Sequence, residues 1–116
     1  MAKKSTPEGA VLRASLDWLT AQRILAFRMQ VGGMSGENAG KRWFMRFGTP
    51  GMSDVLAFRQ DKSIYDPQRI TPCWLEMKAV DGKQSALQKS FQEQVESYGH
   101  VYAIIRSIED LCEVFK

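Results

Sequence analysis

Apolar residues recur at helical spacing near the start of the chain. Leu12, Leu16 and Leu19 stand four and three apart, with Val11 and Trp18 beside them, which predicts a helix with one buried face running to about Gln22. Thr6-Pro7-Glu8 supplies its start: a hydroxyl that can cap, a proline at the first helical position, and an acid where the helix dipole favours one. The period then falls to two. Leu25, Phe27, Met29 and Val31 alternate with Ala26, Arg28 and Gln30, predicting a half-buried strand that ends at Gly32-Gly33. Residues 32 to 41 hold four of the nine glycines and read as a turn or mobile loop.

A second strand is expected over residues 42 to 47, broken by Gly48-Thr49-Pro50-Gly51. Residues 54 to 59 form a third, whose continuous apolar run from Val55 to Phe58 suits a central position in a sheet. The polar stretch from 60 to 72, with two prolines, is a long connection to a strand at residues 73 to 79. Asp81-Gly82 turns the chain, and Ser85 opens a helix with Leu87, Phe91, Val95 and Tyr98 on one face and Gly99 as its stop. Residues 101 to 105 are a last core strand. Ser107-Ile108-Glu109-Asp110 has the capping-box pattern and opens a short terminal helix with Ile108, Leu111 and Phe115 inward. The order α-β-β-β-α-β-α, with a possible extra strand before the middle helix, predicts an α/β fold with a central sheet flanked by helices.

Composition adds bounds and little more. A chain of 116 residues that is 44% apolar and 25% charged makes one globular domain, here residues 7 to 116 behind a short, flexible basic tail at residues 1 to 6. No apolar run is long enough to cross a bilayer and the first residues lack the apolar block of a signal peptide, so a cytoplasmic location is expected. Cys73 and Cys112 form no CxxC or Cys/His cluster and read as reduced core residues. A net charge of +3 and a pI near 9.0 fit a polyanionic partner without requiring one.

The candidate chemistry lies in the strand Cys73-Trp74-Leu75-Glu76-Met77-Lys78-Ala79. Glu76 and Lys78, two apart, emerge on one face while Leu75 and Met77 enter the opposite layer. Any such pair in a strand is most often a simple surface ion pair. Asp54 changes the weighing, because it stands where a glycine-rich turn feeds an apolar strand and can be aimed at the neighbouring strand's polar face. Two carboxylates supply hard oxygen ligands for Mg2+, with Mn2+ able to substitute and the backbone carbonyl of Met77 as a further ligand. A bound ion polarises a scissile phosphate, and Lys78 can neutralise the charge that develops there. The only histidine, His100, sits beside a helix-ending glycine and reads as a structural or surface residue, so no Ser/His/Asp or Cys/His arrangement can be assembled.

The stretches GTPGMSDVLAF, WLEMKA, DGKQSALQKSFQEQVESYGH and VYAIIRSIEDL together resemble the VRR-NUC domain, a branch of the PD-(D/E)xK nuclease superfamily, over nearly the whole chain. The resemblance implies a restriction-endonuclease-like mixed sheet between helices, Mg2+-dependent phosphodiester hydrolysis, and DNA as substrate. Asp54, Glu76 and Lys78 match the catalytic trio, Gln88 the glutamine of the following helix, and Glu8 an acid on the first helix that supports the metal. Ser53 stands where the superfamily has its naming proline, a residue that shapes the turn and binds no metal. Gln88 also completes the capping box Ser85-x-x-Gln88, and the helix dipole alone explains Glu8. Lys41, Arg42, Arg46, Lys83, Gln84 and Lys89 are candidate DNA contacts, each of which also suits a plain solvated surface. Trp43, Phe44 and Trp74 read as core or interface residues in preference to base-stacking platforms.

Stand-alone members of this family resemble Holliday-junction resolvases, so the expectation is a homodimer acting on branched DNA in repair or recombination, with no membrane or small-molecule cofactor. The alternatives are a non-catalytic nucleic-acid-binding or assembly module on the same scaffold, or the same chemistry on a flap, a nick, plain duplex or RNA.

Overall fold

The computed structural model describes residues 6–30 and 32–116. The expected basic tail, Thr6 apart, and Val31 of the first expected strand lie outside them. In chain order the elements are α1 (Pro7–Ala21), β1 (Ala26–Arg28), β2 (Gly32–Asn38), β3 (Lys41–Phe47), β4 (Val55–Gln60), β5 (Ile70–Met77), α2 (Ala86–Ser97), β6 (Val101–Ile105) and α3 (Ile108–Val114).

The central sheet is mixed, in the order β1-β4-β5-β6. β4 runs antiparallel to both β1 and β5, while β6 returns parallel to β5 after the α2 crossover. Alternation along β5 divides the interior into two layers. Cys73, Leu75 and Met77 join Leu19, Val55, Ala57, Ile105 and Leu111 in a fully buried cluster to which α1 and α3 contribute. Trp74 and Ile104 point the other way, onto Phe91 and Val95 of α2. Each fully buried aliphatic side chain contributes about 1.5–3 kcal/mol, so the first layer, with the larger number of them, anchors β4 and β5. The site lies at the end of these two strands.

The local signals read from the sequence act as expected at two helix starts. Thr6 Oγ1 accepts from the Gly9 N–H at 2.9 Å, with Pro7 in the first turn of α1. Ser85 and Gln88 form a complete capping box at α2. At α3 the box is not made. Ser107 gives no side-chain cap, and Asp110 Oδ2 instead accepts the Arg106 N–H at 2.8 Å.

Other expectations are corrected. Residues 32 to 41 are no loop: β2 and β3 form a two-stranded antiparallel ribbon closed at Ala39 (φ 52°) and Gly40 (φ 80°). Positive φ at both central residues is the type I′ hairpin turn, usually signalled by Asn-Gly or Asp-Gly; Ala-Gly hides it. In β1 the inward face is the opposite of the expected one. Ile24 and Ala26 pack against the core, whereas Leu25 and Phe27 are exposed, because the tight exit from α1 sets the register of this short edge strand. β5 begins at Ile70, and Pro72 is tolerated inside it because only β4 pairs there, β6 joining from Cys73 onward. Leu87 of α2 and Tyr98, which caps its C-terminus, are exposed, and so is Cys112; both cysteines are free, with Cys73 in the core.

Candidate metal centre

Asp54 is positioned by the turn before it and the strands beside it. Thr49-Pro50-Gly51-Met52 is a type II turn, with proline second, glycine third at φ 85°, and the Met52 N–H donating to the Thr49 carbonyl at 2.9 Å. It delivers Asp54 to the start of β4, one residue beyond the Val55–Leu75 pair. The Met29 N–H donates to the Asp54 carbonyl at 2.7 Å, and the Met77 N–H donates to Asp54 Oδ2 at 2.8 Å. The carboxylate therefore bridges from β4 to β5, next to Glu76.

Gly51 has a second constraint. A Cβ placed there would meet the backbone of Leu87, at the start of α2, closer than 3.0 Å. Gly51→Ala is expected to destabilise the protein by at least about 1–3 kcal/mol and to push Asp54 and α2 apart. A lower melting temperature, together with lost metal binding under conditions where the variant is folded, would report it.

Glu76 is only 2% exposed. Its Oε1 accepts from Gln88 Nε2 at 2.8 Å and faces Lys78 Nζ at 3.9 Å. Its Oε2, also buried, has no hydrogen-bond partner. The carboxylates of Glu8, Asp54 and Glu76 each offer an oxygen within 4.8 Å of the other two. Burial pushes the Glu76 pKa up from 4.5 to about 8, with Asp54 adding to the shift by its charge and as hydrogen-bond partner of the protonated carboxyl, and Lys78 opposing it.

Gln88 serves two partners at once. Its Oε1 accepts the Ser85 N–H at 2.9 Å in the capping box, which leaves its NH2 to face Glu76. The helix cap thus fixes the orientation of the amide, and the structural and site readings hold together in one conformation. Met77 enters through its N–H, on Asp54. Lys78 is buried to 9% exposure, and its N–H donates to the Ile105 carbonyl at 3.0 Å, which continues the β5–β6 ladder past Met77. The following turn is pinned by Arg106, whose Nη1 donates to the carbonyls of Ala79 at 2.7 Å and Gly82 at 2.8 Å.

The donor set fits a hard divalent cation. Three carboxylates converge, an all-oxygen set with no sulfur or nitrogen, and one of them, Glu76, has a buried oxygen that no N–H or hydroxyl of the protein reaches. These residues open into a cleft of about 580 Å3 whose lining includes Arg28, Met29, Gln30, Gly33 and Ser85. Nothing in the sequence marks Arg28 and Gln30 as site residues. Their only signal is polarity on alternate positions of the first strand, which any solvated edge would give.

Of the expected DNA contacts, Lys41, Arg42 and Arg46 lie exposed along β3, and Lys83 and Lys89 lie exposed around the start of α2. Gln84 turns inward: its Nε2 donates to Gln92 Oε1 at 2.9 Å and to the Tyr102 hydroxyl at 3.1 Å. Trp74 is an interior residue, edge-on to Phe91 at 5.1 Å between ring centroids, with its Nε1 donating to His100 Nδ1 at 3.0 Å. Trp43 and Phe44, read as core or interface, are exposed by 42% and 64%.

Comparison with models of known families, with curated proteins and with solved structures finds no match.

Proposed function

We propose that this chain is a divalent-metal-dependent nuclease that hydrolyses phosphodiester bonds in DNA, of the VRR-NUC type that its motifs resemble. The observation that carries the reading is the buried, unpartnered Oε2 of Glu76, set among the carboxylates of Asp54 and Glu8 with the Lys78 ammonium beside it. When Glu76 is ionised that oxygen is an uncompensated interior acceptor, at a cost of about 1–3 kcal/mol or more; without metal a proton shared with Asp54 relieves it, and a divalent cation can take the proton's place.

Asp54, Glu76 and Glu8 would hold the ion, with the Met77 carbonyl as a further donor. A bound Mg2+ or Mn2+ would supply Lewis-acid polarisation of the phosphate and a water of lowered pKa. The protein's own groups do the rest. The Met77 N–H holds one oxygen of Asp54, and Gln88 holds one oxygen of Glu76, so both carboxylates are oriented before substrate arrives. Lys78, buried and close to Glu76, provides fixed positive charge against the negative charge that grows on the phosphate oxygens. Arg28, at the rim of the cleft, can engage the neighbouring phosphate.

The substrate proposal is branched DNA, cut by a homodimer whose two sites match the two-fold symmetry of a four-way junction. No helix among the described residues is long and apolar enough to cross a membrane, and the proposed setting is the cytoplasm of a bacterial or phage-infected cell. The test is incubation with Mg2+ or Mn2+ and labelled four-way junctions, flaps and plain duplex. Paired, symmetric nicks confined to the junction are expected. Equal cutting of all three substrates would remove the junction claim, and binding without any cutting would leave a nucleic-acid-binding module instead.

A further inference from the structure

The β2–β3 ribbon buries little, yet its side chains are ordered in a specific way. Register puts Arg42, Phe44 and Arg46 of β3 on one face, opposite Glu37, Ser35 and Gly33 of β2. Lys41, Trp43 and Met45 occupy the other face, opposite Asn38, Gly36 and Met34. On each face an aromatic ring lies over a glycine. A Cβ at Gly33 would strike the Phe44 ring, and a Cβ at Gly36 would strike the Trp43 ring, both at less than 3.0 Å. The glycines are therefore beds that let the rings lie flat across the ribbon, with their other sides open to solvent.

Three further features suggest what covers those rings. Lys41, Arg42 and Arg46 make no ion pair among the described residues, and Glu37 is the one acid on the ribbon, so its charge is positive. The ribbon springs from the rim of the metal cleft, since Gly32 and Gly33, at its root, line that cleft. Phe44, whose ring rests on Gly33, is thus the aromatic platform next to the site. A flat ring flanked by arginines binds the face of an unstacked base and its phosphates, and a purely apolar partner would leave those charges desolvated and unpaired.

We propose that the β2–β3 ribbon is a nucleic-acid-binding arm, in which Phe44 stacks on an unpaired base while Arg42 and Arg46 hold the adjoining phosphates, so that unpaired DNA is steered into the cleft. This rests on the nuclease reading for the purpose of the arm and stands apart from it for binding.

The test measures anisotropy of labelled DNA bound to the intact protein in Ca2+, comparing a substrate with unpaired nucleotides against blunt duplex. Phe44→Ala is expected to weaken binding to unpaired DNA about tenfold and to leave blunt duplex nearly unchanged. Phe44→Trp should restore it, and Phe44→Leu, which keeps apolar bulk without a ring, should not. Replacing Arg42 and Arg46 together by Ala should weaken both substrates and reduce the salt dependence by about two phosphate contacts. Unchanged binding by Phe44→Ala, or full binding by Phe44→Leu, would overturn the arm. So would a Phe44→Ala protein whose light-scattering mass falls to half that of the wild type and whose loss of DNA binding is the same for blunt duplex as for unpaired DNA, since the ribbon would then be a surface for a second copy. If the wild type binds DNA through the arm but never cuts, the nuclease reading fails alone; if it cuts and the variants bind normally, the arm fails alone.

Discussion

The metal-free protein is expected to lose thermal stability as pH rises from about 5 to about 8, and divalent cation is expected to restore it. The cause is Glu76, whose carboxyl is raised from 4.5 to about 8 by burial first and by Asp54 second. Below about pH 4.5 it is protonated in both the folded and unfolded chain and contributes no slope. Between 4.5 and about 8 the unfolded chain releases the proton and the folded one keeps it, so stability falls, by up to about 1.4 kcal/mol per pH unit. Above that window both forms are ionised and the whole cost of a buried charge is present. Asp61, held low chiefly by its Arg59 partner, acts below its ordinary 3.8 and so outside this range.

For a domain of this size a few kcal/mol corresponds to a fall on the order of 10 °C in Tm. Mg2+ or Mn2+ competes with the proton, so the rise in Tm on adding metal should be larger at about pH 8 than at about pH 6. Glu76→Gln, an uncharged isostere, should flatten both effects. Scanning calorimetry across the pH range, with and without Mn2+, reads them directly. A wild-type Tm that is level over the window, or a Glu76→Gln protein with the same profile as wild type, would mean that Glu76 is not the buried acid of a metal site.

Asp54→Asn is expected to abolish cleavage, by about a thousandfold or more, while leaving the fold and DNA binding close to normal. The asymmetry follows from what each oxygen does. The Met77 N–H needs an acceptor at Oδ2, and an asparagine carbonyl supplies one at the same place, so the bridge from β4 to β5 survives. What is lost is a negative charge in a cluster of three carboxylates, and with it the affinity for a divalent ion. Single-turnover cleavage, binding in Ca2+ and a melting curve of the same preparation separate the three properties. Cleavage that persists in pure Asp54→Asn protein would remove Asp54 from the site.

The groups of this site are unequally legible in the sequence. Glu76 and Lys78 were readable because a strand has period two, so a charged pair two apart inside an apolar run must share one face and stand out from the layer beneath it. Asp54 and Gln88 were readable in part, from a turn that aims an acid and from a capping box, although only the fold places Gln88 Nε2 on Glu76. Glu8 was readable as a first-turn acid, and its approach to Asp54 and Glu76 depends on where the first helix docks. Arg28 and the exposed rings of Trp43 and Phe44 were hidden: a polar residue on an edge strand and an aromatic in a glycine-flanked strand look alike whether they face solvent, a ligand or a core.

What the chain determined by itself was local and periodic: the α1 and α2 starts, the continuous apolar runs of β4, β5 and β6, and the segregation of Leu75 and Met77 from Glu76 and Lys78. Hydrogen-bond geometry and side-chain alternation act over a few residues, and the sequence carries them openly. Only tertiary structure decided the ribbon, the inverted face of β1 and the meeting of three acids from α1, β5 and the turn before β4. Those depend on pairing between distant segments, where a glycine can be chosen for the ring that will lie on it and a carboxylate for neighbours far away along the chain.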